Sequence, residues 1–187
     1  LELNTITFKP INTLDLLMTS TPLCLPQNIT AEQFMADYWQ KKPLLIKQGL
    51  PQLIAMFEPE DMLGLAIEKE ASARLLTQAT TKPANEPQWQ VKKSPLTETD
   101  FDNLPEQWTV LVQNLEQWSP ELGQLWQAFD FIPQWQRDDI MASYAPKGGS
   151  VGKHYDDYDV FLAQGFGQRR WQLGQFCHEN TEFIADE

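Results

Sequence analysis

The sequence changes character after Pro133. Before that point apolar residues recur at helical spacing in several segments. Beyond it they lie in short stretches separated by the pair Gly148-Gly149 and by the Gly-Phe-Gly triplet at 165–167. Glycine turns commonly join neighbouring antiparallel strands. Helices followed by glycine-separated strands therefore predict an α+β fold with an antiparallel sheet or barrel in the second half.

Three helical segments are predicted, at residues 30–40, 53–67 and from 119 onward. Thr30 can cap the first helix, and Gln33 stands at the position of its capping-box partner. Pro43 ends that helix because proline cannot continue the hydrogen-bond ladder. Pro59 is expected to break the second helix, and Pro120 occupies the first position of the third, which favours helix initiation.

Short strands are predicted on both sides of Pro133, at residues 44–46, 73–77, 89–91, 108–113, 139–145, 153–164 and 169–173. The glycine breaks suggest one structural unit, so we assign residues 1–29 to an N-terminal extension and residues 30–187 to a single domain. The chain has no initiator methionine and ends without an evident closing element, so we expect it to be a fragment of a longer protein.

The charge balance restricts the partners of the chain. It has 14 lysines and arginines against 26 aspartates and glutamates, a net charge of −12. Such a surface repels phosphate, which disfavours direct nucleic-acid and anionic-membrane binding and favours a basic protein partner. Cys24 and Cys177 form neither a disulfide framework nor a zinc motif, which indicates a reduced, cytoplasmic setting.

The pair His154 and Asp156 carries the clearest chemical signal. The two residues are two positions apart on a predicted strand, so both side chains point to the same face. An imidazole beside a carboxylate is two thirds of the facial triad that holds Fe(II) and leaves positions open for a co-substrate and dioxygen. Tyr158 shares this parity and is a candidate for the cleft. The alternative is a solvated strand end with no metal.

Arg169 lies fifteen residues after His154, past the Gly-Phe-Gly turn. A hairpin of this size would return it beside the metal strand, where a guanidinium suits the far carboxylate of a dicarboxylic co-substrate. The alternative is an exposed arginine paired with Asp157 or Asp159, and this is the interpretation we adopt for Arg170.

A joint pattern along the chain carries a resemblance to a known family. The segments of this pattern are Tyr38–Lys47 (YWQKKPLLIK), FIPQW at 131–135, DDIMASY at 138–144, GGSVG at 148–152, HYDDYDVFL at 154–162 and RRW at 169–171. The pattern resembles the bacterial ribosomal oxygenases, which are JmjC-type, cupin-fold hydroxylases. The resemblance runs from about residue 30 to residue 174 and is far more specific than any one of its parts.

This resemblance implies a double-stranded β-helix with helices packed around it. It implies His154 and Asp156 as iron ligands and Arg169 as the clamp for 2-oxoglutarate, with Fe(II), 2-oxoglutarate and dioxygen as cofactor and co-substrates. It also implies the substrate, an arginine of large-subunit ribosomal protein sixteen hydroxylated at the β-carbon. Some relatives hydroxylate histidine instead. A homodimer is expected of the full-length family member.

The third iron ligand is the main departure from the family pattern. In the family it is a histidine on a later strand, whereas the only other histidine here, His178, stands in a polar stretch just past the predicted hairpin. We therefore expect the third ligand beyond Glu187. Two ligands alone would hold iron too weakly for turnover. The competing functions are a non-catalytic cupin-like module or inactive fragment that binds a basic partner, and a cupin isomerase or sugar-binding protein, which would need more histidines.

Overall fold

The computed structural model describes residues 23, 25, 29–56, 58–79 and 88–174. Its centre is a four-stranded sheet in which each neighbouring pair is antiparallel and the spatial order is β2-β1-β3-β4. The strands are β1 (Ala73–Ala79), β2 (Gln88–Lys93), β3 (Trp108–Val112) and β4 (Ala142–Tyr144). Helices and an antiparallel sheet confirm the predicted α+β class.

The described residues form three α-helices, α1 (Ala31–Asp37), α2 (Pro59–Ala66) and α3 (Pro120–Gln124). α1 and α3 begin where the sequence predicts helix starts, and α2 begins at Pro59, where the predicted helix 53–67 is expected to break. α1 follows the Thr30–Gln33 capping box, α2 has proline in its first turn, and α3 is capped by the hydroxyl of Ser119. These caps satisfy backbone N–H groups that a helix start leaves unpaired. α3 continues into a 3-10 helix at Leu125–Phe129, and a second 3-10 helix, Pro51–Ala55, precedes Pro59.

The two faces of the sheet are used differently. On the first face, Leu75, Val110 and Val112 pack in the main apolar core, which includes residues of α2 and α3. Because side chains alternate along a strand, their neighbours point to the second face. Thr109 on that face is fully buried although it is polar. The loop at 148–152 passes over this second face.

Two groups of predicted strands are wrong. Residues 44–46 and the segments 153–164 and 169–173 lie outside any strand or helix. Alternation and glycine turns indicate which way side chains point, but a strand exists only beside a hydrogen-bonded partner. Within the described residues, no neighbouring strand pairs with these segments. The prediction at 139–145 is confirmed in a shorter form as β4.

A cluster of aromatic rings holds the segment after residue 153 against the helical part. Phe161 contacts four rings, with centroid distances of 4.6 Å to Phe129, 5.7 Å to Trp39, 6.0 Å to Phe34 and 6.4 Å to Phe131. Phe34 is the buried residue of α1. Aromatic pairs of this kind contribute about 0.5–1.5 kcal/mol each beyond the area that they bury.

Other apolar side chains of the same segment are exposed. They include Val160, Leu162, Phe166 and Leu173, of which Phe166 and Leu173 are about two-thirds accessible. In the described part of the chain, no helix has the length and apolar character needed to cross a membrane.

We predict that Phe161→Ala lowers the free energy of unfolding by about 2–3 kcal/mol, because it removes a half-buried ring from four aromatic contacts. Phe166→Ala is the matched control. It deletes the same side chain from an exposed site five residues away and should change stability by less than about 0.5 kcal/mol. Urea unfolding followed by circular dichroism measures both. Equal losses would show that the cluster does not anchor the segment.

Candidate metal centre

The loop at 148–152 lies directly against the sheet because two of its glycines lack side chains. A Cβ built on Gly149 would lie 2.3 Å from the carbonyl oxygen of Trp108, and a Cβ on Gly152 would lie 2.8 Å from the indole nitrogen of Trp89. Gly152 also has a φ of +80°, in the left-handed region that favours glycine. Larger residues at either position would push the loop off the sheet.

Hydrogen bonds fix the same loop to the second face of the sheet. The Thr109 hydroxyl donates to the Ser150 carbonyl at 2.9 Å, across 41 positions of sequence. The backbone N–H of Gly152 donates to the Ser150 hydroxyl oxygen at 3.1 Å. The backbone that leads into His154 is therefore tied to β3 at one point and packed on β2 at another.

His154 and Asp156 lie side by side at the end of this loop. The Nε2 atom of His154 is 4.0 Å from Oδ2 of Asp156, and the two side chains are 49% and 42% exposed. The predicted juxtaposition of the two is therefore present, although neither residue lies on a strand. Half of each side chain faces solvent, so an ion between them would keep open positions.

A second contact determines which nitrogen of His154 is free. Nδ1 lies 3.0 Å from the carbonyl oxygen of Gly152. A carbonyl oxygen can only accept, so Nδ1 carries a proton, and in the neutral ring Nε2 presents its lone pair towards Asp156. Metal-ligating histidines commonly donate their other ring N–H to a backbone carbonyl or carboxylate in this way.

The donor set fits a divalent transition metal. A neutral imidazole and a carboxylate are the ligand types of the facial Fe(II) site. Two ligands bound at about 2.0–2.2 Å and at a right angle would lie about 3 Å apart, so a small side-chain rotation brings the 4.0 Å pair into range. Over the residues that the structure describes, no third histidine, cysteine or carboxylate joins them to form a cluster. His178 and Cys177 lie outside that set.

Several carboxylates act on Tyr158, which lies two positions after Asp156. The pKa of the Tyr158 phenol is raised above its ordinary value, first by partial shielding from water and then by the carboxylates of Asp156, Asp138 and Asp139, against the opposing effect of Arg74. The phenol therefore stays protonated and can donate a hydrogen bond. Carboxylates from two parts of the chain therefore contribute negative potential at Tyr158.

Arg169 is half-buried, and its guanidinium lies 5.7 Å from the centroid of the Trp171 ring. Arg170 is exposed. The expected pairing of Arg170 with Asp157 or Asp159 is absent from the described residues, and no carboxylate among them forms a salt bridge with Arg169. The structure thus brings together His154 and Asp156, and it places Arg169 on an aromatic face rather than in contact with either of these two residues.

Thr109 and Trp89 are residues of this site that the sequence did not single out. A lone polar residue within the apolar strand WTVLV was the available signal for Thr109. Its importance depends on a contact with residue 150 that no local pattern shows.

Comparisons with known proteins agree with this geometry. A family model described as the JmjC domain matches residues 124–187, which include the His154–Asp156 pair. A probable ribosomal oxygenase of Haemophilus influenzae is 61% identical over 170 residues, covering 91% of this chain and 41% of that protein. The ribosomal protein uL16 3-hydroxylase of Escherichia coli is 38% identical over 143 residues, covering 76% of this chain and 36% of that protein.

Solved structures give the same result. The ribosomal oxygenase YcfD of Escherichia coli in complex with cobalt and 2-oxoglutarate matches with a TM-score of 0.58 and 32% identity, over 70% of this chain and 33% of that one. Its complex with cobalt and succinic acid matches with a TM-score of 0.60, over 72% of this chain.

The chain spans about two fifths of the length of the curated relatives that it matches. These matches confirm the predicted JmjC, cupin-type fold class, which the four described strands represent in part. By sequence and by fold, the chain is similar to part of the JmjC-type ribosomal oxygenases.

Proposed function

We propose that this chain is the metal-binding part of an Fe(II)- and 2-oxoglutarate-dependent dioxygenase that hydroxylates a large-subunit ribosomal protein. The observation that carries the proposal is the orientation of His154, whose free Nε2 faces the Asp156 carboxylate. The relatives named as a uL16 3-hydroxylase and as an oxygenase bound to cobalt and 2-oxoglutarate support it.

In this proposal His154 and Asp156 hold Fe(II), and a third ligand comes from outside the described residues. Bound iron supplies the chemistry by which dioxygen is divided: one oxygen atom enters a substrate C–H bond, and the other enters succinate as 2-oxoglutarate loses carbon dioxide. The protein contributes ligand geometry and open coordination positions. The Gly152 carbonyl keeps the proton of His154 on Nδ1, away from the metal side.

Arg169 is proposed to bind the far carboxylate of 2-oxoglutarate. Its guanidinium is held over Trp171, and it has no carboxylate partner among the described residues, so its donors remain available to an anion. A planar guanidinium can meet a carboxylate with two parallel hydrogen bonds.

The substrate is proposed to be an arginine of uL16, modified at the β-carbon, in the cytoplasm. The net charge of −12 and the carboxylates that act on Tyr158 favour a basic ribosomal protein and raise its encounter rate. We also propose that residues 1–29 form an N-terminal extension and residues 30–187 the oxygenase domain. The full-length protein is proposed to form a homodimer.

A second candidate function is a module that binds a basic partner without chemistry. The observation that favours it is that the described residues supply two metal donors and no third. Metal binding and co-substrate binding distinguish the two candidates, because a pure binding module needs neither.

We expect Mn(II), used as a redox-stable substitute for Fe(II), to bind this chain weakly, and Asp156→Ala to abolish that binding because it removes one of two donors. Asp157→Ala makes the same charge change next to the site and should retain the affinity within about twofold, since exposed charges that do not ligate contribute little. Titration calorimetry measures both. Full Mn(II) binding by Asp156→Ala would place the ligands elsewhere.

Replacing Arg169 should separate the enzyme from the module. In metal-loaded protein, Arg169→Ala should weaken 2-oxoglutarate binding roughly a hundredfold, equivalent to about 2–3 kcal/mol, because a charge-assisted contact is lost. Arg170→Ala removes the same side chain from the exposed neighbouring position and should have a much smaller effect. Equal losses of 2-oxoglutarate affinity in the two variants would mean that Arg169 is not the specific carboxylate-binding arginine. No loss from either would favour the non-catalytic module.

The activity itself is tested with protein expressed from the complete open reading frame that contains this chain. Incubated with Fe(II), 2-oxoglutarate, dioxygen and uL16, it should add the mass of one oxygen atom to an arginine-containing peptide, as measured by mass spectrometry. The Asp156→Ala protein should add none. Modification of a histidine peptide would confirm the chemistry and correct the target residue, whereas unmodified uL16 would contradict the proposed substrate.

A further inference from the structure

The second face of the sheet holds a fully buried polar side chain that the proposed chemistry does not use. Thr109 lies in β3 with both neighbours apolar, and its hydroxyl donates to the carbonyl of Ser150 at 2.9 Å. A buried hydroxyl without a partner is costly, so this bond is strongly favoured. It fixes the position of one peptide unit four residues before His154.

Trp89 provides a second fixed point for the same loop. It lies on β2, an outer strand of the sheet, paired with Gln78, which places its ring on the face that Thr109 occupies. The space that a side chain on Gly152 would need is taken by the indole, with only 2.8 Å from the built Cβ to Nε1. The ring therefore limits where the Gly152 peptide can lie.

These two points are connected to the proposed metal ligand through the backbone. Ser150 links them, since its carbonyl accepts from Thr109 and its hydroxyl accepts from the N–H of Gly152 at 3.1 Å. The carbonyl of Gly152 then accepts from Nδ1 of His154 at 3.0 Å. The chain of contacts runs from the sheet to the ring nitrogen without touching the metal side of the imidazole.

We infer that Thr109 and Trp89 are positioning residues that select the Nδ1–H tautomer of His154 and so make its Nε2 available as a ligand. This inference rests on the proposed function for its purpose, but the tautomer is a property of the metal-free protein. In a free neutral histidine the Nε2–H form is the more abundant one, and that form has no lone pair on the nitrogen that faces Asp156. If the Gly152 carbonyl were not held in place, His154 would populate a mixture of the two tautomers in which the Nε2–H form is the more abundant.

The tautomer can be read from the nitrogen-15 chemical shifts of the imidazole in metal-free protein, recorded over a pH series from which the signals of the neutral ring are taken. The chain has two histidines, so His178→Gln assigns the signals of His154. We expect the Nδ1–H pattern in the parent protein and a mixture in Thr109→Val. Mn(II) affinity should fall about tenfold in that variant, the lower end of the effect of losing support behind a metal-bound histidine.

Controls separate positioning from stability. Thr109→Ser keeps the hydroxyl and should keep both the tautomer and the affinity. Thr77→Val removes the same hydroxyl from the opposite face of the sheet and should change neither. If Thr109→Val does not fold, Trp89→Ala tests the same contacts from a half-exposed position on an outer strand. Trp89→Phe keeps a ring at that position and should retain part of the Nδ1–H pattern that Trp89→Ala loses.

A folded Thr109→Val or Trp89→Ala protein that retains the Nδ1–H pattern would overturn the inference. So would a parent protein in which His154 shows the Nε2–H pattern. If the tautomer shifts as expected but the parent binds no Mn(II), the positioning role stands and the proposed metal function fails. The two ideas are thus tested separately.

Discussion

The packing of Phe161 into a cluster of aromatic rings is the interaction on which the arrangement of the site depends. Residues 145–174 form no helix or strand in the described structure, so backbone ladders do not hold them in place. Two attachments do so instead. Phe161 fixes the segment to α1 and to the 3-10 helix at Leu125–Phe129, and the loop at 148–152 fixes it to the sheet. His154 and Asp156 lie between these attachments.

This arrangement explains how a half-exposed pair can still be oriented. A surface histidine would normally sample several rotamers and both tautomers. Here its Nδ1 is bonded to a carbonyl whose own peptide is confined by Trp89 and by the bond between Gly152 and Ser150. Preorganised ligands lose less entropy when an ion binds, which favours affinity. The net charge of −12 adds an attraction for cations that requires no contact.

Local signals in the sequence predicted a large part of the fold. The starts of α1 and α3 follow from their capping residues and Pro120, and Pro59 marks the break in the second predicted helix. The strands predicted at 73–77, 89–91 and 108–113 coincide with β1, β2 and β3. The adjacency of His154 and Asp156 also depends only on a spacing of two. The strands expected at 153–164 and 169–173 were wrong because pairing depends on a distant partner that alternation does not reveal.

Contacts between distant residues account for what the sequence did not show. The role of Thr109 depends on Ser150, and the importance of Gly152 depends on Trp89, which lies on another strand. Similarly, nothing local distinguishes Phe161 from Phe166, yet one lies in a cluster of rings and the other is exposed. Arg169 was predicted beside the metal pair, and that placement stays a prediction because the described contact of its guanidinium is with Trp171.

The central claim is that His154 and Asp156 form part of one metal centre. The most direct test is anomalous X-ray diffraction from crystals soaked in cobalt, collected on both sides of the cobalt absorption edge. We predict a single strong anomalous peak within about 2.0–2.2 Å of both Nε2 of His154 and a carboxylate oxygen of Asp156. A peak that touches neither residue, for example one between Asp138 and Asp139, would contradict the account.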